Sequence, residues 1–189
     1  MKKIVVFASG SGTNAENIIK YFSETKTGVV ASVFTNNAKA KVIDRAKKYD
    51  VPTEIFSKEE FFEGKVLQKI KVIAPDLIVL AGFLLKLPQD LVETYPDKII
   101  NIHPALLPKY GGKGMYGMHV HKAVVENQEE KTGITIHYVN EHYDEGNIIF
   151  QKEVALTKED TPEDVAAKIH ELEQENFPMI VEKVLLFNL

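Results

Sequence analysis

Short apolar runs and segments of helical periodicity alternate along this chain. Continuous runs rich in valine and isoleucine predict buried strands at residues 4–8, 29–34, 51–55, 77–80 and 99–102. Apolar residues three or four positions apart predict helices at 15–22, 38–49, 62–73 and 120–125. Residues 133–139 alternate and residues 148–156 alternate in part, so we expect antiparallel pairing at this end of the sheet. Thr161, Pro162 and Asp164 have the spacing of a helix N-terminus, which predicts a last helix.

This order of elements is typical of the α/β class. We predict a doubly wound, mostly parallel sheet of about seven strands with helices on both faces and a Rossmann-like N-terminal half. No internal repeat, linker or low-complexity tract divides the chain. We therefore expect a single domain over residues 1–189, with a phosphate-binding half at about 1–100 and a catalytic half at about 101–189.

Composition narrows the class of protein. The 189 residues are 44% hydrophobic, which is enough for one well-buried core, and include no cysteine, which excludes disulfides and thiolate zinc sites. A net charge of -4 argues against a nucleic-acid partner. No apolar run reaches the roughly 18 residues of a membrane span, and Met1 leads directly into the first strand without a signal pattern. We expect a cytoplasmic protein with no membrane partner.

Asn101 and His103 carry the strongest chemical signal. They end a β-branched strand before Pro104, and because side chains alternate, both project to one face at the carboxyl end, where ligands bind in α/β sheets. Taken alone, such residues are as often a turn histidine and a loop cap as catalysts. With the carboxylate of Asp144 added, the set suits acyl transfer: an amide donor and an imidazole for an oxyanion, and a carboxylate that raises the imidazole pKa.

The first turn matches a weak dinucleotide-binding fingerprint, Gly10-x-Gly12-x-x-Ala15. The acidic residue that would bind a ribose hydroxyl is missing, because residues 34–37 read Phe-Thr-Asn-Asn. Free backbone amides at a helix N-terminus still favour a phosphate. A phosphoribosyl ligand therefore fits this turn better than a dinucleotide, and the alternative is a tight turn without a ligand.

Other polar positions have plain structural interpretations. His119 and His121 lack the carboxylates of a metal site, so no metal is expected; we place His119 at a cavity mouth and His121 at the surface. His137 is interpreted as a partly buried histidine near the site. Residues 109–117 hold four glycines and form either a flexible connection or a lid.

The motifs together resemble those of the folate-dependent formyltransferases. The residues that carry the resemblance are Asn-Ile-His-Pro-Ala-Leu-Leu-Pro at 101–108, Gly-Ile-Thr-Ile-His-Tyr-Val at 133–139 and Asp-Glu-Gly at 144–146. From residue 4 to the last helix, the chain is similar to the branch that acts in purine synthesis. The resemblance implies direct transfer of the formyl group of 10-formyltetrahydrofolate, a co-substrate, to the amine of glycinamide ribonucleotide, without a metal.

The same resemblance implies residue roles. Asn101, His103 and Asp144 are the expected catalytic residues, and the match of His137 to a family position leaves a role beside them open. The expected substrate-binding residues are Gly12, Thr13 and Asn14 at the ribose phosphate and Glu173 at the amino group. The folate is expected to lie along Leu84, Leu85, Lys86 and Leu87 and against Asn101, Asn140, Glu141, His142 and Tyr143, with Lys58 near its tail. Leu85 and Lys58 stand where arginines are common in the family, and a lysine keeps the charge but loses the bidentate fork.

Three other functions share features with this sequence. A methionyl-tRNA formyltransferase carries an additional RNA-binding domain, for which this chain is too short and too acidic. A formyltetrahydrofolate hydrolase shares the catalytic core but carries an N-terminal regulatory domain, which we do not expect here. A non-catalytic nucleotide-binding protein explains the glycine turn but not Asn101, His103 and Asp144 together.

Overall fold

The apolar runs form one seven-stranded sheet in a computed structural model, which describes residues 1–187. Its order is β3-β2-β1-β4-β5-β6-β7, with β1 to β5 parallel and β6 and β7 antiparallel. The strands are β1 Lys3–Phe7, β2 Val29–Thr35, β3 Thr53–Ile55, β4 Leu77–Leu80, β5 Ile99–His103, β6 Lys131–Tyr138 and β7 Ile148–Ala155. The predicted fold class, the seven strands and the antiparallel end are confirmed.

Helices cover both faces of the sheet. They are α1 Thr13–Thr25, α2 Val42–Lys47, α3 Lys58–Phe62, α4 Lys65–Ile73, α5 Gln89–Thr94, α6 Met118–Glu126 and α7 Pro162–Phe187. Strand β1 shows how the layers divide, because Val6 packs in the cluster of α1, α2, α6 and α7, whereas its neighbour Val5 packs with α3, α4 and α5. No helix within residues 1–187 is long and apolar enough to cross a membrane.

Three helical segments differ from the prediction. The segment expected at 38–49 is helical only at Val42–Lys47. The one expected at 62–73 is helical from Lys65, because Gly64, with a φ of 80°, separates it from a helix that ends at Phe62. Helix α5 was not predicted; it is short, and Pro88 at its N-cap was the available signal. The start of α7 is confirmed, because the Asp164 amide donates to Thr161 Oγ1 at 3.2 Å and the Thr161 amide donates back to Asp164 Oδ2 at 2.8 Å.

The fold opens a crevice at the carboxyl ends of β1 and β4. The chain moves outward from β1 to β2 and β3 and then returns to β4 on the other side, so the loops after β1 and β4 leave in different directions. The loop after β5 and the end of β6 flank the same edge, because Asn101 lies opposite His137 in the antiparallel pair. The residues predicted to form the functional site therefore lie together at one edge of the sheet.

Candidate active site

A cavity of about 610 Å³ fills this crevice, a volume typical of small-ligand sites. Its walls come from six parts of the chain that are distant in sequence. They are residues 10–14 after β1, residues 80–87 after β4, residues 101–104 at the end of β5, residues 112–117 with His121, residues 137–144 in part, and the α7 residues Ala166, Ile169, His170 and Glu173.

Asn101, His103 and Asp144 meet in this cavity. Asn101 and His103 project from one face of β5, and the loop after β6 brings Asp144 Oδ2 to 3.6 Å from His103 Nδ1. The imidazole is buried, and the carboxylate is only 12% exposed. The cluster joins an amide donor, a titratable ring and a carboxylate that are largely buried, and electrostatic interactions are stronger between buried groups than between exposed ones.

His137 belongs to the same cluster, which places it directly beside the predicted catalytic residues. Its Nδ1 donates to the carbonyl of Tyr138 at 2.8 Å, which leaves Nε2 to face the Asn101 amide nitrogen at 3.1 Å and Asp144 Oδ1 at 3.6 Å. In the neutral ring, Nε2 accepts from Asn101 and fixes that amide. Only the antiparallel register, in which Asn101 and His137 are opposite, places the ring here.

The protonation of His103 departs from the sequence-based expectation. Burial lowers its pKa below the ordinary value, and this outweighs the attraction of Asp144, which acts in the other direction. Burial alone would raise the pKa of Asp144, but contacts with His137, His103 and the Gly112 amide hold it below its ordinary value. Asp144 is thus a carboxylate at neutral pH, while burial disfavours the imidazolium of His103.

The glycine-rich loop, residues 109–117, contacts this pair directly. His103 Nε2 donates to the carbonyl of Tyr110 at 2.7 Å, and the Gly112 amide donates to Asp144 Oδ2 at 2.9 Å. Both nitrogens of the His103 ring therefore face protein atoms. A ligand oxygen that uses the Nε2 proton must replace the Tyr110 carbonyl.

The phosphate turn, residues 8–14, has a fixed shape. Gly12 has a φ of 72°, and a Cβ there would overlap with the side chain of Val42. The Val42 amide donates to the Gly10 carbonyl at 3.2 Å, and Arg45 Nε donates to the Ser11 carbonyl at 2.7 Å. Thr13 begins α1, so the first amides of a 13-residue helix open into the cavity.

Glu173 lies beside this turn, and its side chain is largely buried. Its Oε2 accepts from Asn14 Nδ2 at 2.9 Å and lies 3.8 Å from His170 Nδ1. Burial raises the pKa of Glu173 to about 7, although the hydrogen bond from Asn14 acts to lower it. A carboxyl held in this way, with one oxygen on Asn14, is available to hydrogen-bond a polar ligand.

The segments expected to hold a folate lie across the cavity from α7. Leu84, Leu85, Lys86 and Leu87 line it together with Asn140, His142 and Tyr143, and Lys86 Nζ is 5.7 Å from the centre of the Tyr143 ring. Two of the expected residues lie outside its walls. Lys58 is exposed at the start of α3, and Glu141 faces outward 3.4 Å from His142 Nε2.

The placements expected for His119 and His121 are wrong. Helix α6 begins at Met118, so its inward face carries Val120, His121 and Val124, while His119 is exposed and packs on Tyr116. His121 lines the cavity, and its Nδ1 has no hydrogen-bond partner within residues 1–187. Its pKa is lowered by burial and, to a smaller extent, by His103.

The sequence matches one protein family over most of its length. Residues 2–181 match the family described as formyl transferase. The chain belongs to this family. The resemblance inferred from the motifs is therefore confirmed, and formyl transfer is the chemistry to which the Asn101, His103 and Asp144 cluster has to be related.

Individual proteins that are similar to this chain also have names that refer to formyl transfer. The chain is 34% identical to the phosphoribosylglycinamide formyltransferase of Bacillus subtilis, with all of this chain and 97% of that protein covered. It is 39% identical to the chloroplastic phosphoribosylglycinamide formyltransferase of Arabidopsis thaliana over 89% of this chain, and spans 60% of the length of that relative. The crystal structure of glycinamide ribonucleotide transformylase 1 from Geobacillus kaustophilus is 34% identical with a TM-score of 0.90, and 98% of this chain and 99% of that chain are covered.

Proposed function

We propose that this formyl transferase family member transfers the formyl group of 10-formyltetrahydrofolate to the amine of glycinamide ribonucleotide, a reaction of purine biosynthesis. One observation carries the proposal: a turn suited to a phosphate and a cluster suited to an oxyanion line the same cavity. A phosphorylated amine anchored at residues 12–14 extends along the cavity toward Asn101 and His103. The names of the similar proteins above support this choice of substrates.

The phosphate of the substrate binds at Gly12, Thr13 and Asn14. Backbone amides at the start of α1 donate to its oxygens, and the helix dipole favours its negative charge. Glu173 contacts the same substrate. Because it is bonded to Asn14, the carboxyl lies at the phosphate end, which favours the ribose hydroxyls over the amino group that we expected from the resemblance.

The folate occupies the part of the cavity between residues 84–87 and residues 140–144. Backbone groups of these segments pair with the donor and acceptor edge of the pterin, and the leucines cover its faces. Lys86, whose Nζ lies over the Tyr143 ring, is a cation in this wall for an acidic tail. Lys58 and Glu141 do not line the cavity, and we assign them no role in the reaction.

The reaction requires no nucleophile from the protein. The amine nitrogen attacks the formyl carbon, a C–N bond forms, and the carbonyl oxygen takes up the electron pair as an oxyanion. Asn101 Nδ2, fixed by His137, donates to this oxygen. His103 Nε2 also donates to it, and this bond replaces the one to the Tyr110 carbonyl. The negative oxygen favours the imidazolium and so offsets the burial that lowers the pKa of His103.

The tetrahedral intermediate then collapses. The bond between the formyl carbon and folate nitrogen N10 breaks, and a proton passes from the amine nitrogen to N10. We propose that a water at Asp144 carries it, because this carboxylate stays ionised next to the imidazole. The atoms balance without an oxidant, a metal or a covalent enzyme intermediate.

The test is turnover by the purified protein. We expect formylated glycinamide ribonucleotide and tetrahydrofolate in equal amounts, measured by mass spectrometry and by absorbance. The control omits the amine. Formyl-folate consumption at the same rate without the amine would show a hydrolase and contradict the proposal, as would the absence of turnover in protein that binds both compounds.

A further inference from the structure

Ser9 belongs to the phosphate turn by sequence, but its side chain contacts the opposite wall of the crevice. Its Oγ accepts from the backbone amide of Leu84 at 3.0 Å and donates to Asn36 Oδ1 at 2.7 Å. Its own amide donates to the Gly82 carbonyl at 3.0 Å. The single hydroxyl thus joins the loop after β1, the loop after β2 and the loop after β4.

This hydroxyl is not available to a phosphate. Ser9 is 7% exposed, and its one proton and one of its oxygen lone pairs are used within the protein. Ser9 is also absent from the residues that line the cavity, although its neighbours from Gly10 to Asn14 are present. A direct contact with a ligand therefore does not explain why a buried serine stands here.

The segment that Ser9 contacts is held in part by core packing. Phe83 packs its ring on Phe7, with the ring centroids 5.0 Å apart, and Leu85 packs against the same apolar cluster. The Leu84 side chain between them is 52% exposed, so packing does not fix this residue. The bond to Ser9 therefore sets the peptide plane before Leu84, and with it the direction of the following backbone groups.

We propose that Ser9 is a positioning residue for the folate co-substrate, although it lies in the turn that holds the other substrate. The inference rests on the proposed function, in which residues 84–87 bind the pterin edge. Its bond to Leu84 sets where the donor and acceptor groups of residues 85–87 point, and Asn36 orients the hydroxyl for that bond. Loss of the hydroxyl leaves the phosphate amides in place and lets residues 84–86 shift.

The test is the effect of Ser9→Ala on the two substrates separately. We expect the KM for formyl-folate to rise about fivefold to tenfold, as for the loss of one buried hydrogen bond. The KM for glycinamide ribonucleotide and kcat should stay within about twofold of the wild type. The dissociation constant of formyl-folate alone, measured by calorimetry, should rise by the same factor. Asn36→Ala should act in the same direction with a smaller factor.

Ser32→Ala is the matched control. Ser32 is a buried serine that donates one hydrogen bond, to the Pro52 carbonyl at 3.1 Å, and it lies outside the cavity. This variant measures what loss of a buried hydroxyl does through stability alone, and both KM values should remain at the wild-type level. If Ser9→Ala does not fold, the split between the two KM values in Asn36→Ala decides the question.

A rise in the KM for glycinamide ribonucleotide, or an equal rise in both KM values, would overturn the role of Ser9 while the wild type remains active. Failure of the wild type to bind formyl-folate would instead overturn the proposed function. The two failures are distinguishable, because the first requires an active wild-type enzyme and the second excludes one.

Discussion

The two glycine-rich segments of the cavity, the phosphate turn and the glycine-rich loop, differ at Gly12 and Gly114 in why glycine is required. In the turn, Gly12 has no room for a side chain, because a Cβ would overlap with Val42. In the loop, Gly114 has open space where a Cβ would stand, and only its φ of 88° favours glycine. Packing against α2 therefore requires the glycine at position 12, whereas backbone conformation alone favours the one at position 114.

Their anchors differ as well. The turn is bonded to Val42 and Arg45 on α2, which take no part in the proposed chemistry. The loop is bonded to His103 and Asp144, which we propose are catalytic. The turn can thus be rigid before a ligand binds, whereas the loop must release the His103 Nε2 proton when a ligand oxygen takes it. The same residue type serves a preformed site in one segment and a movable one in the other.

The largest effect is expected from Asp144→Asn, which changes the loop anchor and the catalytic pair at once. Removing the carboxylate removes the charge that opposes burial, so the pKa of His103 falls further. The basic limb of the kcat/KM profile should move to lower pH, and kcat at neutral pH should fall by about 10²- to 10⁴-fold while both ligands still bind. Steady-state kinetics across pH, with calorimetry for each ligand, measure this.

The double variant His103→Ala with Asp144→Asn tests whether the pair acts as one unit. If both residues serve one proton path, it should be little worse than the more damaging single change. Full multiplication of the two losses, together with an unshifted pH profile, would mean that the loop anchor and the ring act independently.

The contrast between glycines predicts a second, smaller effect. Gly12→Ala should push α2 from the turn and raise the KM for glycinamide ribonucleotide at least about tenfold, because the backbone amides at the start of α1 would no longer point at the phosphate. Gly114→Ala, its matched control, should cost only backbone strain of about 1 kcal/mol and leave that KM nearly unchanged. Chemical denaturation and kinetics of both variants compare them. If both variants had the same KM for glycinamide ribonucleotide, the distinction between a packed Gly12 and an open Gly114 would be wrong.

The sequence predicted some of this site from strictly local rules. Strand alternation places Asn101 and His103 on one face, and the Thr161 cap was readable from three residues. The role of His137 was not, because it depends on the register between β5 and β6, to which no local pattern points. The exchanged positions of His119 and His121 have another cause. Helix α6 begins at Met118, two residues before the predicted start, so both histidines are helical, and the spacing of about 100° per residue places His121 beside Val120 and Val124 on the inward face.

The pKa of His103 was beyond sequence reasoning for another reason. The sequence gives the neighbouring carboxylate, which acts to raise the pKa, but not the burial, which lowers it by more. The same holds for Glu173, whose raised pKa follows from how α7 closes over the turn. Motifs identify which groups meet, and the balance of burial and charge requires the packed structure.

The smallest effect is expected at Glu173, which lies beside the phosphate turn, and it depends on the charge of this side chain. Its pKa is about 7 in the folded protein, above the 4.5 of a free side chain, so the folded state binds a proton more tightly than the unfolded state. This group contributes nothing to the free energy of unfolding below about pH 4.5. Its contribution becomes unfavourable as the pH rises toward 7 and is constant above that, because folding then buries a carboxylate.

Glu173→Gln removes this cost and keeps the shape of the side chain. We expect the variant to be more stable than the wild type at pH 8, by at most about 3 kcal/mol, and no more stable at pH 4. Urea denaturation at both pH values measures the difference. The same variant should raise the KM for glycinamide ribonucleotide severalfold and leave the KM for formyl-folate unchanged, because Glu173 adjoins the turn and not the folate wall. The opposite result would be a variant that is less stable than the wild type at pH 8 but equally stable at pH 4. It would mean that the Glu173 carboxylate is favourably paired in the folded protein.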